Sequence, residues 1–230
     1  MKYSLVIPCY NESENIPELL RRIKPLLDTN QVQIVLVNNG STDKTDYLIK
    51  KFKPKKNFKY LFIPKNKGYG YGVVNGLKIA DGDILGWTHA DLQTNPLDFI
   101  KAISFFDLNK DSFVKGKRFG RSFMEHFLTF GMSIFVSLLF RKRMFDVNAQ
   151  PTVFSKDFFK SLPMPPNDFS LDLFFYFYAL KKGLIIQRFP VNFGKRFGGV
   201  STWNTGWLSR YKFIKRTVEF SLKLKKDLNV

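Results

Sequence analysis

The sequence predicts an α/β protein with a mostly parallel β-sheet flanked by helices, together with amphipathic helices suited to a membrane interface. Three observations support this prediction. Strand-like and helix-like segments alternate roughly every 28 residues over the first hundred, which favours right-handed strand–helix–strand units. After residue 110 the pattern changes, and an almost wholly apolar stretch follows at Ser122–Phe140. The C-terminal segment is basic, and the net charge of the chain is +18.

The first strand is predicted at Ser4–Ile7, an apolar run that Pro8 closes. Asn15 and Glu18 then form a helix-start pattern ahead of apolar residues at helical spacing. Gly-rich residues 67–72 are expected to form a turn. The remaining strands are expected at Val32–Val37, Tyr60–Ile63 and Asp83–Thr88, and the helices after Thr42, at Val73–Ala80 and at Pro96–Phe106. This order is typical of a nucleotide-binding α/β half.

Composition limits the classes of function. The single cysteine, Cys9, excludes an intrachain disulfide or a cysteine-based zinc cluster. Because Pro8 breaks the first apolar run, a signal peptide is not expected, and a cytoplasmic protein is. The charge of +18 requires a partner of opposite sign, which could be nucleic acid, an anionic membrane or a phosphorylated substrate. The 26 phenylalanines favour a membrane surface or an aromatic stacking platform.

Two segments are expected to lie at a membrane surface. Ser122–Phe140 is just long enough to span a hydrocarbon layer of ~30 Å, but Glu125 and His126 interrupt it and positive charge flanks both ends. We therefore expect a helix in the interface or packed on the domain, over residues 122–143. Residues 206–230 are predicted to form a basic amphipathic helix, the alternative being an ordinary helix docked on the core. Residues 1–205 are expected to form one catalytic domain.

Three polar loops follow strands of the predicted sheet. They are residues 8–12, residues 38–43 and residues 89–93. In an open parallel sheet, ligands bind where the loops at the carboxyl ends of the strands diverge. In the third loop the alternate residues His89, Asp91 and Gln93 can all ligate a metal, and a carboxylate at a strand end suits Mg²⁺ or Mn²⁺ on a diphosphate.

The order of these motifs resembles the family-2 glycosyltransferases, which have the Rossmann-like GT-A fold, and in particular their dolichyl- and polyprenyl-phosphate sugar transferase branch. The matching stretches are SLVIPCYNESENI, VLVNNGSTDKT, NKGYGYGVVNGLKIADGDILGW, HADLQTNP and KRFGGVST. The resemblance implies an inverting, metal-dependent enzyme that moves a sugar from a UDP- or GDP-linked donor to a lipid phosphate. The basic helices lead us to expect such an enzyme to be peripheral, at the inner face of the membrane. A sugar hydroxyl in cell-surface polysaccharide synthesis is the alternative acceptor, and a membrane partner subunit is left open.

The resemblance also implies roles for individual residues. Asp91 and Gln93 would hold the metal with His89 beside them, and Arg118 and Arg196 would contact phosphates, because the arginine fork suits them. Asp146 stands where family members carry an acceptor-side aspartate. The residues implied in binding the nucleotide sugar are Pro8, Tyr10, Glu12, Asn39, Asn66, Lys67, Gly68 and Ser201.

The sequence departs from the family pattern at several positions. The usual pair of aspartates after the second strand is Asn38–Asn39, which leaves the choice of nucleotide open. His89 replaces the first acidic residue of the metal motif, and its softer nitrogen predicts a preference for Mn²⁺ unless it merely packs beside the site. Thr202 replaces an expected lysine, and an arginine expected early in the middle helix falls near Glu125 or His126.

The acceptor decides whether a general base is needed. A phosphomonoester has a second pKa of ~6 and is already ionised at neutral pH, so only alignment and charge stabilisation are required. A sugar hydroxyl would need a base, and Asp146, Asp168 and Asp172 are the candidates. Two rival functions remain open: a nucleic-acid-binding protein and a sugar nucleotidyltransferase.

Overall fold

The computed structural model describes residues 2–52, 56–107, 111–199 and 206–227. These residues form a seven-stranded sheet in the order β3-β2-β1-β4-β6-β5-β7, in which β6 alone runs antiparallel to its neighbours. The strands are β1 Tyr3–Cys9, β2 Val32–Asn39, β3 Phe58–Ile63, β4 Ile84–Trp87, β5 Ser112–Phe119, β6 Thr152–Ser155 and β7 Ile185–Asn192. The helices are α1 Ile16–Asp28, α2 Thr45–Lys51, α3 Tyr69–Ile79, α4 Asp98–Ser104, α5 Phe123–Phe140, α6 Lys156–Lys160, α7 Leu171–Lys181 and α8 Trp207–Asp227. The mostly parallel α/β sheet predicted from the sequence is therefore confirmed.

The first four strands follow the predicted alternation. β1 pairs in parallel with β2 on one side and β4 on the other, so it lies at the centre of this half of the sheet. Helix α1 begins with Pro17 in its first turn, and Ile16, Leu19, Ile23 and Leu27 line its buried face. The carboxyl ends of β1, β2 and β4 consequently meet at one edge, where the three polar loops begin.

The prediction of a turn over residues 67–72 is wrong for most of that stretch, because α3 begins at Tyr69. Glycine weakens a helix interior by about 1 kcal/mol relative to alanine, which is why the sequence pattern favours a turn. Close packing offsets this cost. A Cβ at Gly70 would lie 2.3 Å from the backbone oxygen of Pro166, and one at Gly76 would lie 2.4 Å from a methyl carbon of Val6.

The second half of the sheet contains the residues that the sequence pattern left least defined. β5 pairs in parallel with β7 and antiparallel with β6, so its carboxyl end faces the same edge as those of β1 and β4. Helix α7 is buried along nearly its whole length, and Phe175 and Phe177 pack in the core on one side of the sheet. This half therefore brings β5 and the start of α7 to the loop-bearing edge.

Helix α5 is exposed along one face. Ser122 and Glu125 form a reciprocal capping box at its start, and Arg141 ends it in the left-handed conformation. Among the described residues this helix is the one whose length and apolar composition would allow it to cross a membrane, and 17% of that stretch is buried. A continuous stripe of exposed apolar side chains runs along it: Phe123, Phe127, Phe130, Ile134 and Leu138.

Helix α8 contacts the rest of the fold through a narrow face. Thr217, Ser221 and Leu224 are buried among the α8 side chains that the structure describes, whereas Tyr211 and Leu222 are 63% and 51% exposed. Its neighbour is α5. The apolar helix α5 and the basic helix α8 are therefore neighbours, and each keeps apolar side chains in solvent.

Candidate active site

A cavity of about 930 Å³ lies at the carboxyl ends of the parallel strands, between the three polar loops, α5 and residues 193–199. Its size is that of a pocket for a nucleotide-linked ligand rather than for a single ion. Most of the residues selected from the sequence line it: Pro8, Tyr10, Glu12, Asn39, Asn66, His89, Asp91, Gln93, Arg118 and Arg196. The predicted site residues are therefore brought together by the fold.

Two adjacent loops form the first wall of the cavity. Gly40 has φ +76°, and a Cβ there would lie 2.2 Å from the backbone nitrogen of Asn66, so only glycine allows these loops to approach so closely. The backbone nitrogen of Ser41 donates to Asn38 Oδ1 at 3.0 Å, and Asn38 Nδ2 donates to the hydroxyl of Tyr60 at 3.2 Å. Asn38 is completely buried, so it stabilises the loop rather than facing a ligand.

Asn39 is the residue of this wall that faces the cavity. Its Nδ2 donates to the backbone oxygen of Gly68 at 2.8 Å, and Asn66 Oδ1 accepts from the backbone nitrogen of Gly68 at 2.8 Å. Within the part of the chain that the structure describes, Asn39 Oδ1 is buried without a hydrogen-bond partner. A buried acceptor without a partner is costly, so this oxygen is suited to accept a hydrogen bond from a ligand N–H group.

The loop after β4 carries Asp91 and Gln93. The backbone nitrogen of Gln93 donates to Asp91 Oδ1 at 3.2 Å, and Gln93 Nε2 donates to the backbone oxygen of Gly194 at 3.3 Å. Between them Leu92 has φ +60°, an uncommon conformation for a branched side chain and one that is frequent at functional sites. The loop is therefore held in a fixed form that presents the Asp91 carboxylate to the cavity.

Arg196 connects this loop to the first one. Its Nη2 donates to Glu12 Oε2, its Nη1 lies 3.6 Å from Asp91 Oδ2, and its Nε donates to the backbone oxygen of Gly198 at 2.8 Å. Burial raises the pKa of Glu12, and the charge of Arg196 opposes that rise. One guanidinium group thus bridges two carboxylates in the lining of the cavity.

His89 stacks on an aromatic ring that also lines the cavity. The rings of His89 and Tyr69 are 5.3 Å apart, and Tyr69 stacks in turn on Phe169 at 4.6 Å and 3°. Burial raises the pKa of the Tyr69 phenol, and the charges of Asp172 and Asp91 add to the rise. These three rings give the cavity an aromatic wall between the loop after β4 and the start of α7.

Three arginines surround Asp146 at the far end of the cavity. Arg118 donates from Nε and Nη2 to Asp146 Oδ1, and its backbone nitrogen donates to Oδ2 at 2.9 Å. Arg121 Nη1 and Arg188 Nη2 lie 3.5 and 3.9 Å from the same carboxylate. Although burial alone would raise the pKa of Asp146, its ion pairs with Arg118 and Arg121 lower it. We call Arg118, Arg121, Arg188 and Asp146 the arginine cluster; it carries an excess of two positive charges.

Part of the arginine cluster is turned to the cavity. Arg118 and Arg121 line it, and Arg121 has a side chain that is only 5% exposed. Arg121 Nη1 donates to Thr129 Oγ1 at 2.7 Å, but its Nε is buried without a partner among the described residues. A buried guanidinium nitrogen of this kind is suited to an anionic ligand, and two arginines can bind a phosphate bidentately.

A second buried ion pair lies behind the aromatic wall. Lys115 and Asp172 are 0% and 2% exposed, and Lys115 Nζ lies 3.5 Å from Asp172 Oδ1. Burial lowers the pKa of Lys115 to about 8 and raises the pKa of Asp172, and in each case the partner's charge opposes the shift. Asp172 lines the cavity and Lys115 lies beneath it.

Some residues that were predicted to belong to the site do not line the cavity. Lys67 is exposed beside the cavity with its Nζ 5.0 Å from the Tyr71 ring, and Gly68 supports Asn39 through its backbone. Asp168 pairs with Arg216 of α8 at 3.6 Å, and Ser201 lies outside the described residues. Sequence reasoning missed Arg121, Arg188 and Lys115, whose partners are 25, 42 and 57 positions away.

The donor set fits a divalent cation that is shared with a ligand. No group of three or more histidine, cysteine or acidic side chains is assembled as a metal site in the described ranges. The Asp91 carboxylate and the amide oxygen of Gln93 are hard ligands of the kind that Mg²⁺ and Mn²⁺ take, and Mg²⁺ is usually held by one or two carboxylates together with substrate phosphates. Asp91 and Gln93 would therefore hold such a cation together with a diphosphate.

Comparison with known proteins agrees with this geometry. A model of the family "Glycosyl transferase family 2" matches residues 4–167. The chain is similar to a dolichol-phosphate mannosyltransferase of Pyrococcus furiosus, with 38% identity over 96 residues. That match covers 42% of this chain and 27% of the relative, so the chain spans about a quarter of the curated protein that it matches.

Solved structures of glycosyltransferases share the fold. Glucosyl-3-phosphoglycerate synthase from Mycobacterium tuberculosis, in complex with Mn²⁺, UDP and glucosyl-3-phosphoglycerate, superimposes with a TM-score of 0.74 at 19% identity over 96% of this chain and 78% of that one. The same synthase has been crystallised with Mg²⁺ and UDP. S. aureus TarS, residues 1–349, superimposes with a TM-score of 0.58 at 20% identity, covering 85% of this chain and 59% of that one. The GT-A fold expected from the sequence is thereby confirmed.

Proposed function

This chain belongs to glycosyl transferase family 2, and from that premise we propose that it transfers a sugar from a nucleotide sugar to a polyprenyl or dolichyl phosphate at the membrane surface. The observation that carries this proposal is the position of the arginine cluster. Arg118 and Arg121 line the cavity together with one face of α5, and the exposed apolar stripe runs along the opposite face of that helix. A lipid phosphate has the matching chemistry, since it joins a dianion to a long apolar chain.

The donor end of the cavity suits a nucleoside diphosphate sugar. Asn39 Oδ1 lacks a partner among the described residues and would accept from the N–H edge of a uracil or guanine base. A divalent cation held by Asp91 and Gln93 would neutralise charge on the diphosphate as the sugar leaves. The structural neighbours crystallised with Mn²⁺ or Mg²⁺ and UDP support this assignment.

The chain's own residues would align the reaction and stabilise its charges. Arg196, which here bridges Glu12 and Asp91, is placed to contact a diphosphate held beside Asp91. Arg118 and Arg121 would orient the acceptor phosphate, whose second pKa of ~6 makes a general base unnecessary at neutral pH. Direct displacement at the anomeric carbon by that phosphate oxygen would invert its configuration.

Asp146 is unsuited to act as a general base. Three guanidinium groups surround its carboxylate, and the ion pairs with Arg118 and Arg121 keep its pKa below the ordinary value. Taking a proton from a hydroxyl would require a carboxylate of higher proton affinity. Asp146 therefore acts in this proposal as a positioning residue that fixes the three arginines.

The exposed faces of α5 and α8 would place the enzyme on the cytoplasmic leaflet of the membrane as a peripheral protein. Phe123 and Leu138 mark the two ends of the apolar stripe, at 86% and 74% exposed, and the basic residues 141–143 follow it directly. Each lysine or arginine near an anionic surface contributes about 1 kcal/mol of binding. The partial similarity to a dolichol-phosphate mannosyltransferase supports a membrane location. A membrane partner subunit would be compatible with the same surface.

A second acceptor class is favoured by a separate observation. The synthase that shares the fold has been crystallised with phosphoglyceric acid, a soluble phosphorylated acid. The arginine cluster would suit the phosphate group of such an acceptor equally well. The sugar would then be joined to a hydroxyl group of the acceptor, as it would be to a sugar hydroxyl in cell-surface polysaccharide synthesis. That reaction would require a base.

A donor and acceptor panel tests the proposal. Purified protein is incubated with UDP-glucose or GDP-mannose and Mn²⁺ or Mg²⁺, with polyprenyl phosphate in anionic vesicles or with phosphoglyceric acid. We expect transfer to the lipid phosphate and sedimentation with the vesicles, which is lost in high salt or after deletion of residues 206–230. Transfer only to the soluble acid would contradict the lipid acceptor. Binding to single-stranded DNA in preference to all nucleotide sugars would reject the enzymatic proposal.

A further inference from the structure

The ion pair of Lys115 and Asp172 is the buried charged group that the proposed reaction leaves without a role. Lys115 Nζ donates to Thr152 Oγ1 at 2.7 Å and lies 3.5 Å from Asp172 Oδ1, and neither charged side chain is more than 2% exposed. Burying two charges costs more than packing apolar groups of the same volume in many proteins. A pair kept at this cost beside a ligand cavity is a candidate for function.

The bonds around the pair hold the carboxylate in one orientation. Gln150 Nε2 donates to Asp172 Oδ1 at 2.5 Å, and Thr152 Oγ1 donates to Gln150 Oε1 at 3.2 Å. The bonds from Gln150 and Lys115 therefore converge on the same oxygen, and Asp172 lines the cavity. Its second oxygen, Oδ2, receives neither of these bonds, and the Tyr69 hydroxyl is a further hydrogen-bonding neighbour of this carboxylate at the cavity wall.

Asp172 lines the same cavity as Asp91, with the ring of Tyr69 as a link between them. Gln150 Nε2 lies 3.5 Å from the Tyr69 hydroxyl and also donates to Asp172, and the Tyr69 ring stacks on His89, two residues before Asp91, so Tyr69 connects the Asp91 loop with Asp172. A sugar attached to a diphosphate beside Asp91 would accordingly reach the Tyr69–Phe169 stack and the Asp172 carboxylate. Sugar hydroxyls donate to carboxylates, and charged acceptors form the stronger hydrogen bonds.

We infer that Asp172 binds a hydroxyl group of the donor sugar and that Lys115 is the positioning residue that holds Asp172 for this contact. This inference rests on the proposed function, because it concerns the sugar of the same nucleotide-linked donor. The pair would then determine which sugars the site accepts, since a site built to bind a hydroxyl group strongly disfavours an analogue that lacks it.

The test compares the affinity for a nucleotide sugar with that for the nucleotide alone. Calorimetric titrations with Mn²⁺ use UDP-glucose and GDP-mannose as probes and UDP and GDP as their sugar-free counterparts. In Asp172→Asn we expect affinity for the better of the two nucleotide sugars to fall about tenfold or more, the usual effect of losing a hydrogen bond to a charged group. Affinity for the corresponding sugar-free nucleotide should stay as in the wild type.

Lys115→Met should reproduce this selective loss, because the carboxylate then lacks the cation that fixes it. The double variant Lys115→Met/Asp172→Asn removes both buried charges and should be no worse than Asp172→Asn alone, which keeps the test usable if the single lysine variant does not fold. Ser112→Ala, a buried substitution on the same strand, is the matched control and should leave both affinities unchanged.

Three outcomes would overturn the inference. Equal losses for the nucleotide sugar and the nucleotide, with a lower melting temperature, would mean that the pair is only structural. Unchanged affinities with turnover reduced by orders of magnitude would mean that Asp172 acts as a base. Unchanged affinities and turnover would mean that it does not touch the sugar. If the wild-type protein binds none of the four nucleotides, it is the proposed function that fails, which is a distinguishable result.

Discussion

Replacing Asp146 with asparagine should destabilise the fold and weaken acceptor binding together. The carboxylate is 8% exposed and accepts two side-chain bonds and one backbone bond from Arg118, with Arg121 and Arg188 within 4 Å. Removing one partner from a buried ion pair costs about 3–5 kcal/mol. The amide oxygen of asparagine can still accept one of these bonds, so we expect a loss near the lower limit, about 3 kcal/mol.

Urea unfolding followed by tryptophan fluorescence measures this loss, and pH provides a second check on its cause. Because the folded-state pKa of Asp146 is lowered, the ionised carboxylate stabilises the fold fully above the ordinary carboxyl pKa, and this contribution is lost as pH falls through the lowered value. The difference in unfolding free energy between wild type and Asp146→Asn should therefore be constant from about pH 5 to 8 and should shrink below about pH 4.

A matched control separates the arginine cluster from a generic carboxylate. Asp98 is also buried, at 5% exposed, but pairs at 3.0 Å with Lys101, whose side chain is 67% exposed. Asp98→Asn should cost no more than about 1 kcal/mol. In the transfer assay Asp146→Asn should raise the KM for the phosphate acceptor at least tenfold. A wild-type unfolding midpoint and an unchanged acceptor KM would refute this reasoning, and a kcat lowered by orders of magnitude at unchanged KM would instead identify Asp146 as a base.

Three further predictions concern the donor end. Asp91→Asn should reduce donor turnover by at least a hundredfold, because the cation loses its carboxylate ligand. In calorimetric titrations of the variant, Mn²⁺ should no longer strengthen the binding of UDP. Turnover equal to that of the wild type would contradict the metal assignment. His89→Asp should shift the metal preference from Mn²⁺ towards Mg²⁺, because a hard oxygen ligand replaces a nitrogen ligand. Turnover measured in titrations with each ion tests this. If the wild-type enzyme already prefers Mg²⁺ and the variant does not change that preference, His89 only stacks on Tyr69. Arg196→Lys should lower kcat/KM about tenfold, because lysine cannot bridge Glu12 and Asp91 with a planar fork; an unchanged kcat/KM would remove Arg196 from the phosphate contacts.

The donor end of the cavity could be predicted from the sequence because its information is local. Pro8 and Asn39 are among the last two residues of β1 and β2, and Asp91 lies four residues after β4. The apolar runs of these strands are visible in the sequence, and a parallel sheet places their carboxyl ends at one edge. The start of α3 could not be predicted in this way. Gly68 and Gly70, at its start, are explained by the backbone of residues 166–168, which approaches them from far along the chain.

The acceptor end could be predicted only in part, because it is assembled from distant segments. Arg118 was identified through the family resemblance, but Arg121 and Arg188 reach Asp146 from just before α5 and from β7. In the sequence of β5, Lys115 stands among apolar and basic residues, and its partner Asp172 is on α7. No local pattern distinguishes a lysine that is completely buried from one that faces solvent, so such residues need the tertiary structure.

The environments of the three candidate bases also bear on the class of acceptor. Asp168 pairs with Arg216 of α8, Asp146 is surrounded by three guanidinium groups, and Asp172 is held by Lys115 and Gln150. Each carboxylate is therefore already engaged with a cation, and at the α5 end of the cavity positive charge exceeds negative charge. An excess of cations stabilises a nucleophile that arrives ionised, whereas a neutral hydroxyl needs a carboxylate free to take its proton. The charges lining the cavity thus favour a phosphate nucleophile over a hydroxyl, independently of the exposed apolar face of α5.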